Sequence, residues 1–279
     1  MFYILFNSKS NHGKAIKKAI MLEKKLSKKN ICKRINLLEL AGKEKEFSKS
    51  LSKEDSLVLV GGDGTIHQFL NHIYPLEIQY RVFILASGRG NDLSRDYKKK
   101  KMFEITHLVN ALPILKINEI DSYRFINGIG MGVDSCVCDE QNRNGNTGVK
   151  ESYFKIALRV FKTFVPYTLD MVVDDKPYHF DKVWFFVCNN GRYFGGGMKI
   201  TPKAVREDNV LDICVVHNIR LRTLLFIFPL VFLGLHTKIR KKNVTFIKGK
   251  NIKIEPKGCS ILQKDGEVSY DVSKIEINR

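Results

Sequence analysis

The sequence predicts two domains of different class. Residues 1–115 form an α/β domain with a parallel sheet. Residues 116–271 form a mostly antiparallel β-sandwich domain, and the tail, about 272–279, packs back on the first. Three observations predict this. Strand-length apolar runs alternate with helical periodicity in the first part. The period switches to alternation after about Leu115. Two glycine-rich turns each follow a strand in the first part, as in open α/β sheets.

The elements follow in order. Phe2–Phe6 is a strand-length apolar run, and Lys14 to Leu26 reads as a helix with Ile16, Ala19 and Ile20 inward. Ile35–Leu38 is a strand, Glu44–Leu51 a charged helix and Leu57–Val60 a strand. Ile66, Phe69, Leu70 and Ile73 then fall on one helical face. Val82–Leu85 is a strand and Thr106–Leu112 a short helix. Strands separated by helices imply a parallel sheet, which binds ligands beyond the carboxyl ends of its strands. Asn7, Gly61 to Thr65 and Gly88 to Asp92 all follow strands, so these loops are expected on that edge.

Beyond Leu115, Tyr123–Ile126, Leu169–Val173, Val183–Cys188, Leu211–Val216, Val244–Ile247, Ile252–Ile254 and Ile275–Ile277 read as strands. Cys138 to Lys150 is polar and rich in Gly and Asn, the composition of a loop. Tyr153–Phe164 reads as a helix apolar nearly all round, hence buried or wrapped about something greasy. Thr223 to Leu235 is the longest apolar stretch, flanked by Arg220, Arg222, Lys238, Arg240, Lys241 and Lys242. As a helix it is about 20 Å long, short of the roughly 30 Å needed to cross a bilayer. Core burial and an interfacial position both stay open.

Composition bounds the function. Phe2–Phe6 is too short for the apolar core of a secretion signal. Six cysteines form neither a disulfide framework nor a zinc spacing. Both point to a reducing cytoplasm. The net charge of +18 suits an anionic membrane surface, although lysines scattered through the whole chain make compositional bias part of it. Aromatic-basic signatures of RNA binding are absent, so no nucleic-acid partner is expected.

The chemistry concentrates in Gly61-Gly62-Asp63-Gly64-Thr65. In a strand-to-helix turn, glycines make φ > 0 and close backbone approach available. Bare N–H groups at a helix N-terminus form an anion cradle. An acid inside such a cradle would repel phosphate unless a metal or proton mediates, so Asp63 points to Mg²⁺-nucleotide chemistry. Ser87-Gly88-Arg89-Gly90-Asn91-Asp92 is a second glycine turn, in which Asn91 can cap the next turn. Asp265-Gly266 is by itself a strong hairpin signal, and Asp208 by itself reads equally as a solvated turn residue.

Together these motifs resemble the diacylglycerol kinase catalytic-domain family, which includes bacterial soluble lipid kinases and the sphingosine and ceramide kinases. Asn7 with Gly13 is similar to the family's opening loop, 61–65 with Asn71 to its Gly-Gly-Asp-Gly-Thr box, and 88–92 to its second loop. Asn127 to Asp134, Asn189-Asn190, Gly195 to Gly197, Pro202 to Ala204, Asp208 with Leu211-Asp212, and Asp265-Gly266-Glu267 follow in the family's order. The resemblance implies an ATP- and Mg²⁺-dependent lipid kinase with a NAD kinase/diacylglycerol kinase-like fold. By the same resemblance it would lie in the cytoplasm at the inner face of the membrane and most simply convert diacylglycerol to phosphatidate. ATP would lie between the domains, held by Asn7, Gly61, Gly62, Asp63, Gly64, Thr65, Gly88, Arg89, Gly90, Asn91 and Asp92. Asp63 would stand near Mg²⁺, and Asp208 with the carbonyls of Val205 and Val210 would hold a second, structural Mg²⁺. Glu267 would be the general base. Asp63, Asp208 and Glu267 would then gather about one crevice, with the lipid against the 153–164 and 223–235 helices. A homodimer is admitted. A NAD kinase-like phosphotransferase and a non-catalytic nucleotide- or membrane-binding module are the alternatives.

Five positions depart from the family pattern. Arg89 replaces a small hydroxyl residue, Asn209 replaces Gly, Ser8 replaces Pro, and His67-Gln68 stand where Asn and Glu are usual. His67 and Gln68 are expected exposed on the helix's polar face.

Overall fold

The computed structural model describes residues 1–88, 90–98, 101–146, 151, 153–239 and 242–279. The chain divides into two compact units, Met1–Leu112 and Pro113–Arg279.

The first unit runs β1 (Phe2–Phe6), α1 (Lys14–Leu26), β2 (Cys32–Asn36), α2 (Glu44–Ser50), β3 (Ser56–Gly61), α3 (Asp63–Ile73), β4 (Arg81–Ala86), α4 (Asp92–Asp96), β5 (Met102–Glu104) and α5 (Thr106–Val109). The sheet order is β2-β1-β3-β4-β5. The first four strands are parallel, and the edge strand β5 is antiparallel to β4. Every residue of β3 is buried, as a central parallel strand covered on both faces must be. Ala15 and Ala19 of α1 pack on Ile4, Phe6, Val58 and Val60, where small side chains let the helix lie close to the sheet. On α3, Ile66, Phe69, Leu70 and Ile73 are buried as their spacing predicts. His67 is buried with them, contrary to expectation.

The second unit continues with β6 (Ile114–Ile117), β7 (Asp121–Arg124), β8 (Gly128–Gly132), α6 (Val133–Asn146), α7 (Tyr153–Thr163), β9 (Tyr167–Val173), β10 (Lys176–Asn189), β11 (Leu211–His217), α8 (Leu221–Ile227), β12 (Val244–Gly249), β13 (Asn251–Lys257), β14 (Leu262–Lys264), β15 (Glu267–Ser269) and β16 (Ile275–Asn278). They form one curled antiparallel sheet, β15-β14-β8-β10-β9-β13-β16-β6-β7, with β11 and β12 continuing from β10. An irregularity between Phe180 and Val183 lets the two halves of β10 pair with different strands, β9 and then β8 with β11. Met131, Leu169, Phe186, Ile213, Ile254 and Ile275 fill the core inside the curl.

Four expectations are corrected. The tail belongs to the second unit: β16 pairs with β13 and β6, and Val272, Ile275 and Ile277 enter that core. The segment from Cys138 is helical to Asn146, held in part by the Asp139–Arg143 pair at i,i+4, while residues 147–150 lie outside the described residues. α7 is amphipathic: Ile156, Ala157 and Phe161 are buried against Trp184 and Phe185, and Lys155, Arg159 and Lys162 face outward. The 223–235 stretch is not one helix, because α8 gives way to 3₁₀ turns at Phe228–Leu233, where Pro229 cannot continue the helical bonding. Among the described residues no helix is long and apolar enough to cross a membrane, and all six cysteines are free thiols.

Candidate functional site

The two glycine turns of the first unit lie against each other. None of Gly61, Gly62, Gly64 and Gly88 has positive φ, so conformational freedom is not what these positions need. Close approach is. A Cβ on Gly62 would stand 2.8 Å from the Gly88 Cα, and one on Gly88 would stand 2.5 Å from the Gly62 Cα. At Gly61 it would meet the Thr65 Cβ at 2.6 Å. Gly64 differs: its chain neighbours and its own helix backbone aside, a Cβ there meets no described atom within 4 Å. Packing therefore explains three glycines and leaves the fourth bare.

Asp63 ties the turns together. Its Oδ2 accepts from the Asp92 N–H at 2.7 Å and its Oδ1 from the Leu93 N–H at 3.4 Å. The carboxylate thus caps α4, where the helix dipole favours negative charge. Asn91 was expected to do this. Instead it adopts the left-handed conformation at φ 50°, and its amide closes the turn on Gly88 through bonds of 2.9 and 2.6 Å. The Ser87 N–H adds a 2.7 Å bond to the Gly61 carbonyl. The Gly90 carbonyl accepts from the Arg95 Nε at 3.1 Å. Arg89 lies outside the described residues.

The carboxyl ends of β1 and β4 complete this edge. Asn7 makes a local turn, its Oδ1 accepting from the Lys9 N–H at 2.9 Å. Ser8 explains its own departure from the family pattern: its N–H donates to Asn36 Oδ1 at 3.3 Å and its Oγ accepts from Asn36 at 3.1 Å. Proline could make neither bond. Lys18 of α1 was not foreseen. Its Nζ donates to the Ala86 carbonyl at 2.6 Å, which puts a cation at the end of β4 beside the second turn.

In the second unit, Glu267 opens β15 one residue after a turn in which Asp265 and Gly266 have φ 49° and 96°. Asp265 proves to be a structural clamp. Its carboxylate accepts from the N–H groups of Ile126, Asn127 and Gly128 at 2.5, 2.8 and 3.1 Å. From the other side, Cys138 and Asn142 of α6 donate to the Gly266 carbonyl, at 3.2 and 3.0 Å. Glu267 itself is half-buried. Its charge, with those of Asp134 and Asp139, adds to the burial that pushes the Cys138 thiol up to about 12, so Cys138 stays protonated and donates. Glycine in β8 follows from the same crowding: a Cβ on Gly128 would lie 2.0 Å from Asn189 Oδ1, and one on Gly130 2.5 Å from Asp134 Oδ2.

Asp208 sits in a tight turn whose Asn209 takes φ 55°, the freedom that glycine would otherwise supply. The Val205 carbonyl accepts from the Asp208 N–H at 3.3 Å, and the Asp208 Oδ1 accepts from the Val210 N–H at 3.2 Å. The Lys248 ammonium stands 3.2 Å from both Asp208 and Asp212. Burial raises the pKa of Asp212, and Lys248 opposes that shift. The positive charge expected from a second Mg²⁺ is thus supplied by a side chain. These bonds take up the Val205 carbonyl and the Asp208 carboxylate, so the turn as arranged does not present the ligand set expected for a second Mg²⁺.

The Asp208 turn and the Glu267 hairpin meet the same segment. Arg206, 2 % exposed, donates to the Ile126 carbonyl and, at 2.7 Å, to Asn127 Oδ1. Asp265 binds the amides of those residues. Asp63 belongs to the other unit. Sequence reasoning missed Arg206, Asp265 as an acceptor, and Lys18, none of which shows a local pattern.

Comparison with known proteins agrees with this architecture. Residues 1–124 match the diacylglycerol kinase catalytic domain, and residues 127–275 match the YegS C-terminal NAD kinase beta sandwich-like domain. The chain belongs to this family of kinases. It is 26 % identical over 293 residues to the Bacillus subtilis protein named "Putative lipid kinase YtlR", covering 96 % of this chain and 93 % of that one. It is 24 % identical over 273 residues to the diacylglycerol kinase of Mycobacterium tuberculosis, covering 92 % and 85 %. A crystal structure of a diacylglycerol kinase from Bacillus anthracis has the same fold, with a TM-score of 0.68 at 22 % identity, over 100 % of this chain and 94 % of that one.

Proposed function

We propose that this chain is a lipid kinase that transfers the γ-phosphoryl group of ATP to a lipid hydroxyl, with diacylglycerol as acceptor and phosphatidate as product. The observation that carries the proposal is the pair of interlocked turns, 61–65 and 87–92, in which packing leaves Gly64 bare. The turn leads into the N-terminus of α3, where the positive end of the helix dipole favours an incoming phosphate. Lys18 adds a cation on that edge. Mg²⁺ entering with ATP would neutralise phosphate charge, and Asp63 is the side chain that would meet it. The names of the relatives favour a lipid acceptor.

In this mechanism Glu267 accepts the proton of the acceptor hydroxyl as its oxygen bonds to the γ-phosphorus and the bond to ADP breaks. The proton then passes from the carboxyl group to water. Phosphoryl transfer asks the protein for positioning and charge neutralisation more than for covalent chemistry. The clamp on Asp265 and Gly266 suits that demand, because it fixes the strand start that carries the base. No step is assigned to a second metal at Asp208.

The test is γ-labelled ATP incubated with vesicles containing diacylglycerol, monoacylglycerol or a polyprenol, beside NAD. The proposal expects label in the organic phase with diacylglycerol. Label found only in NAD would replace it with a NAD kinase-like activity, and ATP binding without label transfer to any acceptor would replace it with a non-catalytic module.

A further inference from the structure

The segment 221–239 is apolar on the side where a surface helix is ordinarily polar. Its inner face is accounted for: Leu224, Ile227 and Phe228 pack on Phe161, Trp184 and Phe185. Its outer face carries Phe226 at 74 % exposure, Leu233 at 67 %, Phe232 at 43 % and Leu235 at 40 %. Arg222, Phe226, Pro229, Phe232, Leu233 and Leu235 are exposed one after another along the chain, a stripe that follows the segment through α8 and the 3₁₀ turns rather than one helical face. The Phe232 ring rests edge-on against buried Phe228, at 6.2 Å, which holds it outward.

Along this stretch of the sequence the charge has one sign. Between Asp212 and Glu255 the sequence has no acidic residue and nine basic ones: Arg220, Arg222, Lys238, Arg240, Lys241, Lys242, Lys248, Lys250 and Lys253. Of these, Arg240 and Lys241 lie outside the described residues, while Arg222 and Lys238 are exposed at either end of the stripe. A second copy of the chain would bring two such basic surfaces together. An anionic bilayer would accept the apolar side chains below the headgroups and the lysines and arginines among them.

We propose that Phe226, Phe232, Leu233 and Leu235 insert into the surface of an anionic membrane, with Arg222 and Lys238 at the headgroups. The inference deepens the lipid-kinase reading by naming the face that meets the acceptor's membrane. The break at Pro229 and the short helices fit a segment lying in the interface.

The test uses the full chain without ATP. It is floated with vesicles of phosphatidylcholine alone or mixed with phosphatidylglycerol, at low and high salt. The expected result is binding to the mixed vesicles that weakens with salt. Phe226→Ser with Leu233→Ser should weaken it roughly 100-fold, since each loses a large side chain from the lipid, while the melting temperature stays unchanged. The indole introduced by Phe226→Trp should be quenched by brominated lipid against the constant emission of buried Trp184. Wild-type binding by the serine variant, or an unquenched indole in a vesicle-bound Phe226→Trp chain, overturns the proposal. So does conversion of a dimer to a monomer by the serine variant, which would assign the face to a second copy. A chain that docks this way yet phosphorylates no lipid refutes the kinase reading alone, and one that phosphorylates lipid without docking here refutes only this inference.

Discussion

Gly64→Ala and Gly88→Ala separate the two reasons a turn can need glycine. At Gly88 the new Cβ would stand 2.5 Å from the Gly62 Cα and 2.8 Å from Asn91 Oδ1, so two backbones must part. Overpacking of this kind costs about 1–3 kcal/mol. For a unit near 100 residues each kcal/mol lowers the melting temperature by about 4–8 °C. Gly88→Ala should therefore melt roughly 5–20 °C lower and lose ATP binding with it. At Gly64 the same Cβ, its chain neighbours and its own helix backbone aside, meets no described atom within 4 Å, and φ lies outside the left-handed region. Alanine is up to about 1 kcal/mol better than glycine in a helix, so stability should hold or rise. If Gly64 is bare because a phosphate approaches its backbone, the methyl group obstructs that approach. ATP affinity should then fall at least about tenfold, or roughly 1.4 kcal/mol. Calorimetric unfolding and ATP titration by calorimetry measure both quantities on each variant. Normal ATP binding by Gly64→Ala, or a wild-type melting temperature for Gly88→Ala, would refute the division.

Three further outcomes are expected. Asp265→Asn keeps a residue that tolerates φ 49° but turns an amide NH₂ toward the N–H groups of residues 126–128, which should cost about 2–3 kcal/mol in denaturant unfolding. Lys248→Met strips the counter-charge from Asp208 and buried Asp212, and should cost about 1–2 kcal/mol at pH 7, discounted for the half-exposed lysine. Because the Asp212 pKa is raised in the folded state, ionisation there is unfavourable, so the deficit should shrink as pH falls and the carboxyl protonates; EDTA should not move the wild-type melting temperature. Burial also lowers the pKa of His236, whose Nε2 bonds the Ile200 carbonyl at 2.9 Å. The unfolded chain then binds the extra proton, so stability is full above about pH 6.5 and falls below it by at most about 1.4 kcal/mol per pH unit; His236→Gln should flatten that slope in melting curves.

Much of the fold was legible because its signals are local. The 3.6-residue spacing of Ile66, Phe69, Leu70 and Ile73 and the burial of β3 follow from sequence. β8 was not legible, since Gly128-Ile129-Gly130-Met131-Gly132 has poor strand propensity and its glycines answer to Asn189, Asp134 and Trp184, side chains and backbone that its own sequence does not announce. α6 was hidden by its Asn and Gly content, which reads as a loop until an ion pair and packing outweigh it. The glycine turns are visible as pattern, and of the two reasons the pattern offers, close backbone approach between Gly62 and Gly88 is the one that holds, not φ > 0. The sequence shows Asp265 as a turn residue and as part of the closing Asp-Gly-Glu segment, but not as a clamp, because its partners lie 137 to 139 positions away. His67 was expected outside because its neighbours on α3 suggested a polar face, yet it is 1 % exposed.

The central claim is that Glu267 serves as the base for phosphoryl transfer from ATP to a lipid hydroxyl. It is tested most directly by turnover of labelled ATP on diacylglycerol vesicles for wild type and Glu267→Gln, with ATP affinity measured in parallel. The prediction is that kcat falls by about 10²–10⁴-fold while ATP binding and melting temperature stay at wild-type values. Near-normal kcat in the glutamine variant would contradict it.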